Sequence, residues 1–141
     1  MIDRLAHYAV RAADLEVSKA FYAEALGLCA GPRPPFDFPG VWLYPEGDSE
    51  RRAQGCVHLI GSGQDGALGG YLGDRPAAGG PDTGSLDHIA FFATDWPACR
   101  ERLTRLRAPF TERIAPLLKV RQVFVTDPDG ITIELNFPAE S

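Results

Sequence analysis

The chain has 141 residues, 45% of them hydrophobic, and a formal net charge of −5. That length suits one ordinary domain or two small halves sharing a core, and no apolar run is long enough to span a bilayer. An acidic balance argues against a nucleic-acid partner, whose phosphate backbone needs a basic surface. Three cysteines, Cys29, Cys56 and Cys99, are odd in number and fit no paired zinc spacing. They read as reduced thiols, and with no charged-then-apolar leader before residue 5 the expectation is a cytoplasmic protein.

The first apolar run, Leu5-Ala-His7-Tyr-Ala-Val10, predicts a strand. A helix follows from about 15 to 27. It opens at Asp14, a good N-cap, and Val17, Ala20, Phe21, Ala25 and Leu28 recur at three- and four-residue steps. Val41-Trp42-Leu-Tyr44 then predicts a strand, and after a long connection from Glu46 to Gln54 comes the strand Cys56-Val-His58-Leu-Ile60. A Gly- and Pro-rich stretch, about 62–85, reads as a linker. Its Gly-Gly pairs lack the strand-to-helix context of a phosphate loop.

Beyond the linker the chain repeats itself. At an offset of 81 residues Leu5, His7, Ala9, Ala12 and Asp14 fall on Leu86, His88, Ala90, Ala93 and Asp95. The second strand carries His88 and the second helix, about 96–107, takes Pro97 in its first turn, where proline is tolerated. Its outer face, Arg100, Glu101, Arg102, Arg105 and Arg107, reads as a solvated surface. Val123-Phe-Val-Thr126 predicts a strand, Asp127-Pro-Asp-Gly130 a turn, and Ile131-Thr-Ile-Glu134-Leu-Asn-Phe137 the last strand. Each half is therefore strand–helix–strand–strand–strand, and neither is large enough to close a core alone.

Each of His7, His58, His88 and Glu134 sits inside an apolar strand. Such groups are normally paired or metal-bound when buried. Alternation along a strand sends Tyr8, Val10, Val57, Leu59, Ile89, Phe91, Ile133 and Leu135 toward the helices and all four polar groups to the opposite face. Two histidines and a carboxylate on one face suit a divalent transition metal that keeps open positions, here Fe, Ni, Co, Mn or Zn. A hydrogen-bonded core histidine is the bland alternative for any one of them. Around these four, Trp42, Tyr44, Phe92, Gln122 and Phe124 are candidate walls of a substrate pocket, and Arg11 and Arg121 candidate partners for a carboxylate or phosphate. There is no G-x-S-x-G, and neither Cys29 nor Cys99 is placed beside a base, so covalent nucleophilic catalysis has no support.

The order His7, Asp14-Leu, Phe21-Tyr-x-x-x-Leu-Gly27-Leu, Leu86-Asp-His88 and Asp127-Pro-Asp-Gly130-x-x-x-Glu134-Leu resembles the vicinal oxygen chelate superfamily over nearly the whole chain. That superfamily holds glyoxalase I, bleomycin- and fosfomycin-resistance proteins, extradiol dioxygenases and methylmalonyl-CoA epimerase. The resemblance implies an α+β fold. Two βαβββ modules, about 3–61 and 86–138, would form a cupped, partly closed mixed sheet with the helices outside, as a single glyoxalase-like domain over 1–141. It also implies a triad of His7, His88 and Glu134 on one divalent metal. His58 stands where glyoxalase I usually has an acidic or amide ligand, so a fourth ligand and a proton-transfer group both stay open for it; Glu134 is the candidate base. The implied activity is a glyoxalase-like lyase or isomerase acting on a small oxygen-bearing molecule. The alternatives are an Fe(II) extradiol dioxygenase and a metal-free sequestering protein. A homodimer is expected on the same ground.

Overall fold

In the computed structural model, residues 1, 4–48, 55–61, 86–115 and 119–139 are described. The Gly/Pro-rich stretch at 62–85 and most of the 46–54 connection lie outside them. Among the described residues ten elements follow in chain order: β1 (Tyr8–Arg11), α1 (Leu15–Glu24), β2 (Cys29–Gly31), β3 (Gly40–Tyr44), β4 (Val57–Ile60), β5 (Ile89–Phe92), α2 (Trp96–Arg105), β6 (Phe110–Ala115), β7 (Val120–Thr126) and β8 (Thr132–Pro138). They form two four-stranded mixed sheets with one connectivity, β1-β4-β3-β2 and β5-β8-β7-β6. The fold is thus the expected α+β pair of βαβββ modules, its sheets unclosed. No helix among the described residues is long and apolar enough to cross a membrane.

Local chemistry fixes both helices. Asp14 and Asp95 cap them, accepting from Glu16 and Val17 N–H in the first case and Ala98 N–H in the second. α1 ends short of the sequence expectation because Gly27 takes a φ of 73° and Leu28 N–H bonds back to Tyr22 C=O. That is a glycine-terminated reversal closing the last turn. The buried stripe of α1 also differs from the predicted one. Ala25 is buried as expected, but Ser18 and Tyr22 are buried with it while Val17 is 52% exposed. The cause is polar: Ser18 Oγ donates to Asp129 at 2.7 Å and Tyr22 OH to Asp127 at 2.8 Å, rotating that face inward.

Those two bonds, with Ala13 N–H to Asp129 at 2.9 Å, tie the Asp-Pro-Asp-Gly turn of the second half to α1 of the first. Gly130, at φ 90°, lets the turn close so that Asp127 also accepts from Asp129 and Ile131 N–H. Tyr8 and Phe91, on the helix sides of β1 and β5, meet at 6.1 Å between ring centroids. Helix-side residues of both halves, among them Val10, Leu43, Val57, Leu59, Leu103, Val123, Ile133 and Phe137, form one contiguous core cluster. Burial of that shared surface is what neither half has alone. The opposite faces of both sheets are left for chemistry.

Candidate metal centre

Register sets the site. On the first sheet Ala9, His58 and Trp42 are cross-strand neighbours; on the second Ala90, Glu134 and Phe124 occupy the equivalent places. Neighbours in register share a face, so His58 and Glu134 are counterparts, as are Trp42 and Phe124.

In the first half the His58 ring lies between two others. Trp42 stacks on it at 4.0 Å with planes 6° apart, and His7, just before β1, stacks at 3.7 Å and 17°. His58 is only 7% exposed. Its Nε2 and the Nδ1 of His7 are shut off from solvent with no hydrogen-bond partner. Burial first, then the neighbouring His7 and, more weakly, the Arg33 charge hold the His58 pKa down at about 4, against a raising hydrogen bond with the Gly55 backbone. The ring is therefore neutral near pH 7, the form that binds a metal.

In the second half Glu134 is 6% exposed and both its oxygens are used. Oε2 lies 2.9 Å from His88 Nε2, and Oε1 accepts from Gln122 Nε2 at 2.8 Å. Gln122 Oε1 in turn accepts from Arg113 Nε at 2.7 Å. The other nitrogen of His88, Nδ1, is 2.6 Å from Asp87 Oδ2. Phe124 presents an edge-on contact to His88 at 6.0 Å, and the Arg113 guanidinium covers the Phe124 ring at 5.4 Å.

The sequence-predicted donors thus meet as two pairs, His7 with His58 and His88 with Glu134. Among the described residues no three His, Cys, Asp or Glu side chains converge to hold a metal ion. The donor chemistry fits a divalent cation: two stacked imidazoles with orphaned nitrogens on one side, an imidazole–carboxylate pair on the other.

The other predicted pocket residues divide. Trp42 stacks on His58, Gln122 bonds to Glu134 and Phe124 meets His88 edge-on. Tyr44 is buried and donates its hydroxyl to Pro32 C=O. Phe92 is 95% exposed on the same side of β5 as Ala90. Arg11 lies at the end of β1 with Nη1 buried and unpartnered. Arg121 is placed elsewhere: it pairs with Glu112 and its guanidinium lies 5.7 Å from the Trp96 ring, on the helix side. The structure adds Asp87, Arg113, Arg33, Phe36 and Phe38 to the surroundings of these donors. Asp87 is adjacent to His88 and was legible; Arg113 reaches Gln122 only through the β6–β7 register, and no local pattern announces that.

Residues 4–135 match the sequence model of a family described as the Glyoxalase/Bleomycin resistance protein/Dioxygenase superfamily. The uncharacterized protein YaeR of Escherichia coli (strain K12) is 29% identical over 130 residues, 92% of each chain. A glyoxylase/bleomycin resistance protein/dioxygenase domain from Frankia sp. EAN1pec superposes with a TM-score of 0.68 at 20% identity, covering 100% of this chain and 96% of that one. A point mutant of the fosfomycin resistance protein FosX from Listeria monocytogenes, complexed with Mn(II) and 1S,2S-dihydroxypropylphosphonic acid, gives 0.63 at 16% identity, covering 96% of this chain and 90% of that chain.

Proposed function

Because the chain belongs to the glyoxalase/bleomycin resistance protein/dioxygenase superfamily, we propose that it is a metal-dependent lyase or isomerase acting on a small oxygen-bearing substrate, with its site shared between two copies of the chain. The observation that carries this reading is the pairing of the donors. His7 and His58 offer Nδ1 and Nε2 without partners, and His88 and Glu134 face each other, yet the two pairs do not converge within one chain. A second copy bringing its His88 and Glu134 against the first copy's His7 and His58 makes a three-histidine, one-glutamate site. Exposed apolar residues support such a partner: Phe92 at 95%, Leu5 at 77% and Leu86 at 54% exposure flank the donor strands. FosX, a structural neighbour, is complexed with Mn(II).

A bound divalent ion supplies Lewis-acid stabilisation of negative charge on substrate oxygens. The remaining work falls to this chain. Glu134 takes a proton from the adjacent substrate carbon at Oε2, while Gln122 holds Oε1 and fixes the carboxylate plane. His58, clamped between His7 and Trp42, is read as a ligand through Nε2. Trp42 and Phe124 wall the site and exclude water.

The test is complementation. A chain carrying H7A and H58A is mixed, after unfolding and refolding together, with one carrying H88A and E134A. Each homodimer has no intact donor set, whereas each mixed dimer has one. Recovery of metal uptake at about a quarter of the wild-type level, the share expected from random pairing into symmetric dimers, is the expected result. No recovery, with the wild type binding one ion per chain, would place the whole site within a single chain.

A further inference from the structure

The first sheet carries a second cluster beside the His7–His58–Trp42 stack, and its chemistry is cationic and aromatic. Gly40 is the register partner of Ile60, and Ile60 of Arg11, so Arg11, Ile60 and Gly40 form the next cross-strand row on the same face as Ala9, His58 and Trp42. Gly40 and Trp42, two apart on β3, share the face of His58. A Cβ on Gly40 would lie 2.8 Å from Arg33 Nη2 and 3.1 Å from its Cζ. The Arg33 guanidinium therefore lies over Gly40, and the Leu59 carbonyl, 2.7 Å from the same point, is the rigid neighbour that keeps a side chain out of that place.

Arg33 is built into place. Nη2 donates to Phe38 C=O at 2.9 Å, and the guanidinium lies 5.1 Å and 5.0 Å from the rings of Phe36 and Phe38. Those rings stack on each other at 5.2 Å, and Phe36 reaches Trp42 at 6.4 Å. At the other end of the row, Arg11 has Nη1 buried and without a partner. A guanidinium nitrogen withdrawn from water is ordinarily paired with an anion. The two arginine positions are separated by two strand spacings, about 10 Å, with long side chains to narrow that gap. Against an overall charge of −5, Arg11 and Arg33 bring two positive charges to this row.

We propose that this row is an oxyanion subsite: Arg11 and Arg33 take the carboxylate or phosphonate head of the substrate, and the planar faces of Trp42 and Phe36 take its body. Guanidinium suits this role because its planar fork binds a carboxylate or phosphonate through two parallel N–H···O bonds. The subsite deepens the metalloenzyme reading by naming the substrate class as a small anionic organic molecule with a flat or apolar portion. It rests on that reading only in treating this face as the substrate side.

Binding is measured on chelator-treated protein, so the outcome is independent of metal. Benzoate and phenylphosphonate are titrated against wild type, R11Q, R11K and R33Q, with benzamide as the neutral isostere, by calorimetry and amide chemical-shift mapping. Wild type is expected to bind at least one of the two anions about tenfold or more tighter than benzamide, since charge-assisted hydrogen bonds are the stronger kind. Shifts should centre on Trp42, Ile60 and Gly40. R11Q and R33Q should each weaken that anion about tenfold while R11K, keeping the charge and losing the fork, loses less. Whichever of benzoate and phenylphosphonate binds tighter identifies the head group. Equal affinity for benzamide and the anions, no binding of either anion below about 10 mM, or unchanged affinity in both R11Q and R33Q overturns the subsite. R33Q doubles as a check should R11Q fail to fold.

Discussion

Gln122 donates its side-chain amide to Glu134 Oε1 at 2.8 Å, and the bond can exist in only one orientation because Arg113 Nε is bonded to the Gln122 carbonyl at 2.7 Å. Arg113 thereby decides which end of Gln122 faces the carboxylate. A group that orients a ligand usually alters metal affinity when lost, by roughly 10- to 100-fold. Q122L is expected to weaken metal uptake within that range, and R113L to do so less, because Gln122 can then turn its carbonyl toward Glu134. Metal titration of the two variants checks it: unchanged affinity in Q122L would mean that the bond does not hold Glu134 in place.

A second pair, Tyr22 and Asp127, joins the two halves. Asp127 is 4% exposed, and burial pushes its carboxyl pKa up despite donors from Ile131 N–H, Tyr22 OH and Asp129 N–H. Tyr22 also accepts from Tyr8 OH at 3.2 Å, and burial drives both phenols upward, keeping them neutral. Y22F removes one donor from a buried carboxylate and is expected to cost about 1–3 kcal/mol. Urea unfolding gives the number. A loss below about 0.5 kcal/mol, the size of an ordinary surface substitution, would show the latch to be dispensable.

How far the sequence speaks can be judged on single residues. His7 and His88 lie at the same offset as their flanking Leu, Ala and Asp residues, so sliding the chain against itself exposes them. His58 and Glu134 do not share that offset, because the connections before β4 and β8 differ in length; only the register Ala9–His58 and Ala90–Glu134 reveals them as counterparts. The side on which each donor points followed from alternation, a local rule. Convergence is a long-range matter, and alternation gave no sign that the donors would meet as two pairs. The α1 stripe misled for a related reason: Ser18 and Tyr22 are buried by partners more than a hundred residues away. From its place before the last hairpin Arg121 reads as a pocket residue, whereas its register with Phe137 and Ile114 puts it on the helix side.

The depressed pKa of His58 makes stability pH-dependent in a stated direction. In the unfolded chain the ring titrates at 6.5, in the native metal-free protein at about 4. Between those values the unfolded state binds more protons, so stability is full above pH 6.5 and declines as pH falls toward 4. For one buried ring the loss between pH 7.5 and 5 is about 2 kcal/mol. H58F keeps a flat ring against Trp42 and has no proton to gain, so its stability should vary less with pH over that range by this amount. Equal slopes in the metal-free wild type and H58F would assign the acid sensitivity to other groups.

Reaction class turns on what Glu134 does. Moving a carbon-bound proton needs a base and a Lewis acid, so nickel, cobalt and manganese forms should all support it, with oxygen excluded. Ring cleavage instead needs a metal that engages dioxygen, and an iron form would then lose activity in air. Glu134 is held on both oxygens, by Gln122 and opposite His88, a fixed carboxylate that suits the proposed base. E134Q keeps the shape and removes the basic oxygen. With the hemithioacetal of methylglyoxal as the first substrate, nickel-loaded wild type is expected to turn over without oxygen, and E134Q to lose about 10²- to 10⁴-fold, the usual range for a general base. Because Glu134 is also a proposed ligand, the nickel content of E134Q is measured alongside, and the comparison is made per bound ion. A panel of catechols with iron-loaded protein supplies the opposing outcome: oxygen-dependent yellowing with iron alone, and no turnover of the hemithioacetal with any metal, would replace the lyase reading with ring cleavage.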